Sequence, residues 1–319
     1  MKLSIDKIRL IFARYNRLIR VIVILLVIAL VVLFSSRQIA GINMEELRNA
    51  AEELTLPVFG LVGLFGFASF LIVAGYDLVE NHFHPSGLSK ILLLFISWTS
   101  QSFGRFLSSG GLSGAALRIK LYRRYESSRD NAVNYGARIW AAGLTGLCLL
   151  IWLSLPFAIG RFDPVIFIPA AVFSLYLPFY YLTGYIKIGK LNIKDSTIGK
   201  MPLREKASLH FASFLEWSAA FLFFVYTISL FSPLISIPIL LFIYAASTAI
   251  GYLSFIPSGL GSFDLVAISL LSVSGLATER VLLSLLLFRI FFYIAPFVIF
   301  MIVLGLNSVQ RYYSRHKSA

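Results

Sequence analysis

Apolar residues fill stretches of membrane-spanning length at Leu18 to Ser35, Leu56 to Tyr76, Ile139 to Ile159, Val165 to Tyr185, Leu209 to Phe231 and Val281 to Leu306. A helix rising 1.5 Å per residue needs about 20 such residues to cross roughly 30 Å of hydrocarbon, so each stretch predicts a transmembrane helix. Two further apolar regions, Ile91 to Leu117 and Ser236 to Ser274, are broken near their middles by Gly110-Gly111-Leu112-Ser113-Gly114 and by Pro257-Ser258-Gly259-Leu260-Gly261. Glycine and proline runs of this kind interrupt a helix, and each region is predicted as two half-length helices. The first apolar run is followed by Phe34-Ser35-Ser36-Arg37, which lacks the small-x-small pattern of a cleavage site and predicts a retained signal anchor.

The polar segments between these runs differ in charge. Six Lys and Arg lie in residues 2–20, six from Arg118 to Arg138, six from Lys187 to Lys206, and Arg311, Arg315 and Lys317 follow the last span. The remaining connections carry Arg37, Arg48, Arg161 and Arg280 against Glu45, Glu46, Glu52, Glu53, Asp163 and Glu279. Cytoplasmic loops carry the excess of Lys and Arg, which predicts both termini inside. The region Ile91 to Leu117 then begins and ends on the cytoplasmic side, and Ser236 to Ser274 begins and ends outside. The fold class expected is an all-α polytopic membrane protein with about six full spans and two oppositely oriented re-entrant helical hairpins. The other reading of each broken region is two ordinary short spans or one kinked helix. Opposed interrupted helices that meet near the bilayer midplane form the substrate sites of many transporters. Residues 1–310 are expected to form a single transmembrane domain and 311–319 a basic cytoplasmic tail.

Composition agrees and adds exclusions. Of 319 residues, 58% are hydrophobic and 13% charged, leaving no separate soluble domain. A net charge of +13 suggests nucleic acid only where the charge forms one face of a folded domain, and here it is spread between apolar runs. Cys148 is the single cysteine, which excludes a disulfide framework and a thiolate metal site. No Walker loop is present, and no nucleophile stands beside a base at plausible spacing, which argues against an enzyme.

The first break, Gly110 to Arg118, joins small residues that permit a tight turn to a half-helix whose N-terminus would point into the membrane and suit a phosphate. Small-residue packing between helices is the alternative. In the second break, Pro257, Gly259 and Gly261 lead to Ser262 as a candidate N-cap, with Asp264 in the first helical turn. Asp264 either neutralises that helix end or pairs with a membrane arginine. Charges inside apolar runs cost about 2.5–3.5 kcal/mol each on an insertion scale, which singles out Arg105, Glu216 and Arg289. Glu216 and Arg289 are candidates for a buried pair; alternatively Arg105 or Arg289 contacts a lipid phosphate while Glu216 holds it or meets a cationic headgroup. Tyr293, one turn beyond Arg289, shares its surface. Asp77 reads as an interfacial anchor at the end of its span. His82 and His84 lie in a short loop with no nearby acidic or cysteine ligand set to complete a metal site, so no metal or other cofactor is expected. Glu45-Glu46-Leu47-Arg48, with Ile42 and Leu54, reads as an amphipathic surface helix.

Taken in order, Tyr76-Asp77, Gly110 to Arg118, Glu216-Trp217, Phe255 to Asp264, and Arg289 with Tyr293 resemble the N-terminal membrane region of the multiple peptide resistance factor family, the bacterial aminoacyl-phosphatidylglycerol synthases and flippases, and its stand-alone relatives. The resemblance covers nearly the whole chain. It implies translocation of lysyl-phosphatidylglycerol, or a related phospholipid, from the inner to the outer leaflet of the bacterial cytoplasmic membrane, with resistance to cationic antimicrobial peptides as the outcome. Full-length family members continue into more spans and a soluble transferase domain, so this chain is expected to hold the flippase half. The family turn reads Pro-Gly-Gly, where this chain has Ser258 after Pro257. From the residues and the resemblance together, the substrate-binding residues expected are Arg105, Gly110, Gly111, Gly114, Arg118, Glu216, Pro257, Gly259, Gly261, Asp264, Arg289 and Tyr293. Expected partners are membrane phospholipids, with a separate aminoacyl-lipid synthase and a second copy of the chain as further candidates. An ion-coupled small-molecule transporter and a non-transporting partner of an envelope enzyme are the alternative functions.

Overall fold

A computed structural model describes residues 43–317, except 108–110, 126–128, 189–190 and 234. The predicted span Leu18 to Ser35, the basic segment before it and Gly110 lie outside the described residues.

The first helix described is α1 (Met44–Glu52), whose first N–H groups are taken by the Asn43 side chain through Glu45 N and Glu46 N. The helix is amphipathic as expected: Leu47 and Ala50 pack on the core, and Arg48 pairs with Glu52 one turn on. Helix α2 (Leu56–Leu71) passes through a 3₁₀ turn at Ile72–Ala74 into α3 (Gly75–Phe83). Next come α4 (Lys90–Leu107), α5 (Leu112–Tyr125), α6 (Arg129–Ala142), α7 (Thr145–Ala158), α8 (Pro164–Ser174) and α9 (Tyr176–Leu182). A two-residue antiparallel ladder pairs Lys187 with Asn192 and Ile188 with Leu191. Helices α10 (Leu203–Ser229), α11 (Ile237–Leu253), α12 (Ser262–Val273) and α13 (Thr278–Arg289) follow, then a π-helical segment at Ile290–Ile294 and α14 (Ala295–Lys317).

Among the described residues five helical segments are long and apolar enough to cross a membrane: Leu56–Phe83, Asn131–Ala158, Pro164–Leu182, Leu203–Ser229 and Thr278–Leu306. They coincide with the five predicted spans after the first. Leu56, Leu64, Val165, Leu222 and Ile302 are each more than half exposed, as a lipid-facing belt requires. The protein is a multi-pass, all-α membrane protein. Each glycine-broken region folds as two helices that pack on each other, α4 with α5 and α11 with α12.

One boundary differs from expectation in a way that matters. The span from Leu56 does not end at Tyr76-Asp77 but continues to Phe83, so Asp77 is fully buried rather than an interfacial anchor. The chain keeps its helical course because the 3₁₀ turn redirects it without breaking it, and α4 takes up the carbonyls involved: Ser97 Oγ donates to Val73 O at 3.0 Å and Trp98 Nε1 to Leu71 O at 2.9 Å.

Helix α10 is the axis of the structure, packing against α2, α3, α7 and α13. Opposite it, α6 and α7 are separated by Gly143-Leu144, and the freed Gly143 carbonyl accepts from Trp217 Nε1 at 2.7 Å and Ser213 Oγ at 3.1 Å. An aromatic cluster of Phe224, Phe263, Phe288 and Phe292 fills the space between α10, α12 and the end of α13, with Phe288 and Phe292 stacked at 5.2 Å.

Helices α4 and α5 cross where Gly104 meets Gly114. A methyl group on Gly114 would lie 2.5 Å from Ser100 O and 2.8 Å from Gly104 Cα. Gly114→Ala is expected to cost about 1–3 kcal/mol through overpacking, read as a lower melting temperature in detergent. Gly60→Ala, where no atom lies within 4 Å of the added carbon, leaves the melting temperature unchanged or raises it.

Candidate functional site

Three arginines on or beside the two glycine-broken regions lie in the interior, and each has found a carboxylate. On α5, Arg118 is 2% exposed and its Nη2 lies 3.2 Å from Asp77 Oδ2 on α3. Tyr122, one turn further along α5, donates its hydroxyl to Asp77 Oδ1 at 2.8 Å. The arginine and carboxylate are close enough to pair but are not aligned for a hydrogen bond, and Arg118 Nε and Nη2 donate to nothing. On α4, Arg105 hydrogen-bonds through Nη2 to Glu216 Oε1 of α10, which also accepts from Gln101 Nε2 at 3.2 Å. The Arg105 guanidinium lies over the Phe292 ring at 4.3 Å, which holds its plane. Its Nη1 and Glu216 Oε2 are left without hydrogen bonds.

The third pair is built differently. Arg289, the last residue of α13, donates from Nε to Asp264 Oδ1 at 2.7 Å and from Nη2 to Asp264 Oδ2 at 2.6 Å, a two-point contact. Its Nη1 and Nη2 also reach the carbonyls of Ser258 and Gly259, each at 3.3 Å. Asp264 Oδ2 accepts in addition from Gly261 N at 3.0 Å, so one carboxylate caps α12 and pairs with a membrane arginine at once.

These pairings correct two sequence expectations. Glu216 and Arg289 do not form a pair with each other; each has a nearer partner supplied by a glycine-broken hairpin. The N-cap of α12 is Gly261 rather than Ser262, because the chain enters the helix at φ 82°, a conformation open to glycine. Ser262 instead shares a hydrogen bond with Ser254 at 2.8 Å. Asp264 therefore fills both roles the sequence offered it, neutralising the α12 N-terminus and pairing with a membrane arginine.

A cleft lined by Gln101, Arg105, Gly111, Arg118, Trp140, Glu216 and Trp217 joins the first two pairs. A second cleft is lined by Arg105, Thr248, Tyr252, Ser258, Gly259 and Tyr293, so Arg105 and Tyr252 border both. Tyr293 lies in the π-helical segment with its ring 5.9 Å from the Arg289 guanidinium. Gly114 holds the α4–α5 crossing, and Pro257 opens the 3₁₀ turn that contains Ser258 and Gly259. Of the sequence-derived site residues only Gly110 falls outside the described part.

The structure adds residues that the sequence did not place in the site. Asp77, itself held by Tyr122, pairs with Arg118, Gln101 supports Glu216, and Tyr252 connects the clefts. Ser258 is the most informative: with φ 56° it occupies a glycine-like conformation, yet its hydroxyl donates to Arg105 O at 3.0 Å and Phe106 O at 2.6 Å, covering end carbonyls of α4. Glycine in that position makes no such bond. The expectation that His84 has no acidic neighbour is also corrected, since Glu205 Oε2 lies 3.1 Å from His84 Nε2. Spacing along the chain could not reveal it, because Glu205 is 121 residues away.

Chemically, the first cleft offers unshared guanidinium N–H donors from Arg118 and Arg105 together with the unshared carboxylate oxygen of Glu216. That combination suits a group that carries both an anion and a cation.

The Arg289–Asp264 pair predicts a non-additive result. Asp264→Ala leaves Arg289 buried without a counter-charge and is expected to cost about 3–5 kcal/mol, whereas the double substitution Asp264→Leu with Arg289→Met recovers most of that loss. Unfolding midpoints in detergent measure the difference, and additive losses would rule out a coupled pair.

No family model matches the chain. Phosphatidylglycerol lysyltransferases of Staphylococcus aureus strains MSSA476 and COL are each 26% identical to it, over 276 and 270 residues. The protein of the same name from Staphylococcus haemolyticus strain JCSC1435 is 26% identical over 293 residues. These matches cover 84–88% of this chain but only 31–33% of those proteins, so the chain spans about a third of the length of the curated relatives it matches. A multi-pass helical membrane protein whose glycine-broken hairpins are held by arginine–carboxylate pairs, this chain is a homologue of the phosphatidylglycerol lysyltransferases along most of its own length.

Proposed function

We propose that this chain moves an aminoacylated phospholipid, lysyl-phosphatidylglycerol or a close relative, between the leaflets of the bacterial cytoplasmic membrane. The observation that carries the reading is the first cleft. Arg118 is almost wholly buried, is paired with Asp77 without hydrogen-bond alignment, and keeps two nitrogens free of protein acceptors. A buried donor without a partner costs roughly 1–3 kcal/mol, more for a charged group, and a phosphate would remove that penalty. Glu216 Oε2 is likewise free and offers the matching site for an amine. Lysyl-phosphatidylglycerol carries both groups, and the relatives named above are phosphatidylglycerol lysyltransferases.

In this reading the phosphate enters against Arg118 and Arg105, and the lysyl amine meets Glu216. Arg289 and Asp264 hold the second break in shape rather than contacting the headgroup, because their polar atoms are already engaged. The loop charges support an orientation with both termini in the cytoplasm, the α4–α5 hairpin opening inward and the α11–α12 hairpin outward. A headgroup held between two opposed hairpins passes across the thin barrier left at their meeting point.

Translocation is measured in proteoliposomes with fluorescent lysyl-phosphatidylglycerol and a leaflet-specific quencher. Arg118→Ala and Glu216→Ala are expected to reduce the rate about tenfold or more, as losing a charge-assisted hydrogen bond of roughly 1.5–3 kcal/mol implies. Unchanged rates in both variants at equal incorporation would overturn the site, and proton-driven uptake of a soluble solute without lipid movement would overturn the function.

Orientation is tested separately. Cys148 is buried, so labelling after its replacement by alanine reports only introduced cysteines. Exposed Lys120 and Arg123, changed to cysteine, are expected to label only from the cytoplasmic side, and Ala277→Cys only from outside. Reversed or two-sided labelling would exclude opposed hairpins.

A further inference from the structure

Away from both clefts, the end of α3 brings together charged groups that the proposed lipid path does not use. Glu80 on α3 and Glu205 in the first turn of α10 are 0% and 1% exposed, and Arg138 of α6 lies between them. Arg138 Nη1 donates to Glu80 Oε1 at 2.5 Å, while its Nε lies 3.6 Å from Glu205 Oε1. His84, which follows α3, places Nε2 3.1 Å from Glu205 Oε2, and its side chain is 38% exposed. One ligand atom from each of Glu80, His84 and Glu205 lies within 4.8 Å of the other two.

The arrangement leaves a specific deficit. Two buried carboxylates share one guanidinium, and Glu80 Oε2 and Glu205 Oε1 accept no hydrogen bond. A proton on His84 does not repair this, because Nε2 faces Glu205 Oε2, an atom already in contact. A cation between the three residues reaches both open carboxylates and the imidazole together. We propose that Glu80, His84 and Glu205 bind a divalent transition-metal ion.

The donor set narrows the class. Two carboxylates and one imidazole form a mixed oxygen and nitrogen site suited to Zn²⁺, Mn²⁺, Fe²⁺ or Co²⁺, whereas Mg²⁺ and Ca²⁺ favour oxygen alone. Ligands at about 2.0–2.2 Å from one ion lie no more than roughly 4.4 Å apart, so binding requires only a small inward movement. His84 can make it, being partly exposed, and its open side leaves room for water as a further ligand. Arg138 fixes Glu80 from behind and offsets one negative charge, the orienting part that outer groups play around metal ligands. The site joins α3 to α10, the axis of the bundle, so an ion there would clamp the end of the helix that carries Asp77.

The test uses the full chain, purified in detergent with a tag free of histidine and stripped with EDTA. Titration with Co²⁺ is expected to give one ion per chain with visible d–d absorption, displaced by Zn²⁺, and to raise the melting temperature. His84→Asn, chosen because His84 is partly exposed, and Glu205→Gln are expected to weaken binding more than about tenfold. His82→Asn, which alters the other histidine of the pair, leaves binding unchanged. Absence of a stoichiometric Co²⁺ complex, equal binding by His84→Asn and Glu205→Gln, or loss of binding in His82→Asn would each overturn the assignment.

Discussion

A guanidinium removed from water needs a carboxylate beside it, and the two glycine-broken hairpins are held to the long helices by meeting that need three times. Each pair ties together segments that the chain keeps apart. Asp77 and Arg118 connect α3 to α5, Glu216 and Arg105 connect α10 to α4, and Asp264 and Arg289 connect α12 to the end of α13. Deleting one partner strands the other at a cost of several kcal/mol, so the broken hairpins cannot drift from the long helices without separating charges in a medium that hardly screens them. The positions of both hairpins follow from this constraint more than from apolar contact, since lipid competes for apolar surface.

The same medium imposes a second requirement on the backbone. Every interruption of a helix releases carbonyls, and three of the interruptions here are matched by a polar side chain from a neighbour. Ser97 and Trp98 serve the 3₁₀ turn in the first long span, Ser213 and Trp217 serve Gly143, and Ser258 serves the end of α4. Interrupted helices are therefore stable at depth because their partners are in place, and polar residues in apolar runs mark where a neighbouring helix is broken.

This explains what was legible in the sequence. The five long spans were readable because their signal is local: hydropathy over about 20 residues decides them. The breaks were readable because glycine and proline act on the backbone where they stand, and Arg105, Glu216 and Arg289 stood out because a charge in an apolar run is locally anomalous. Partners were not legible. Glu216 lies 111 residues from Arg105, and nothing along the chain distinguishes Arg105 from Arg289 as its mate. Asp77 was misread for a related reason: it looked like the polar end of a span, and only the packing of α4 on the 3₁₀ turn shows that the helix continues past it. His84 and Glu205 repeat the pattern across 121 residues.

The three pairs also differ in what they leave available, and this separates scaffold from site more sharply than burial does. Arg289 makes four hydrogen bonds, to both oxygens of Asp264 and to two backbone carbonyls, and Asp264 is further engaged by Gly261 N. A guanidinium has five N–H donors, so little of this arginine remains to offer. Arg118, more deeply buried, donates from neither Nε nor Nη2, and Arg105 keeps Nη1 free. In a low-dielectric cleft an unmet charged donor is held at higher energy than a saturated one, and an anion lowers that energy only where donors remain. A ligand phosphate therefore gains more at Arg118 and Arg105 than at Arg289, although all three looked equivalent as charges in apolar sequence. The saturated pair fixes the shape of the second break, and that shape places Ser258 against the end of α4, so the rigidity of this pair bears on the position of Arg105.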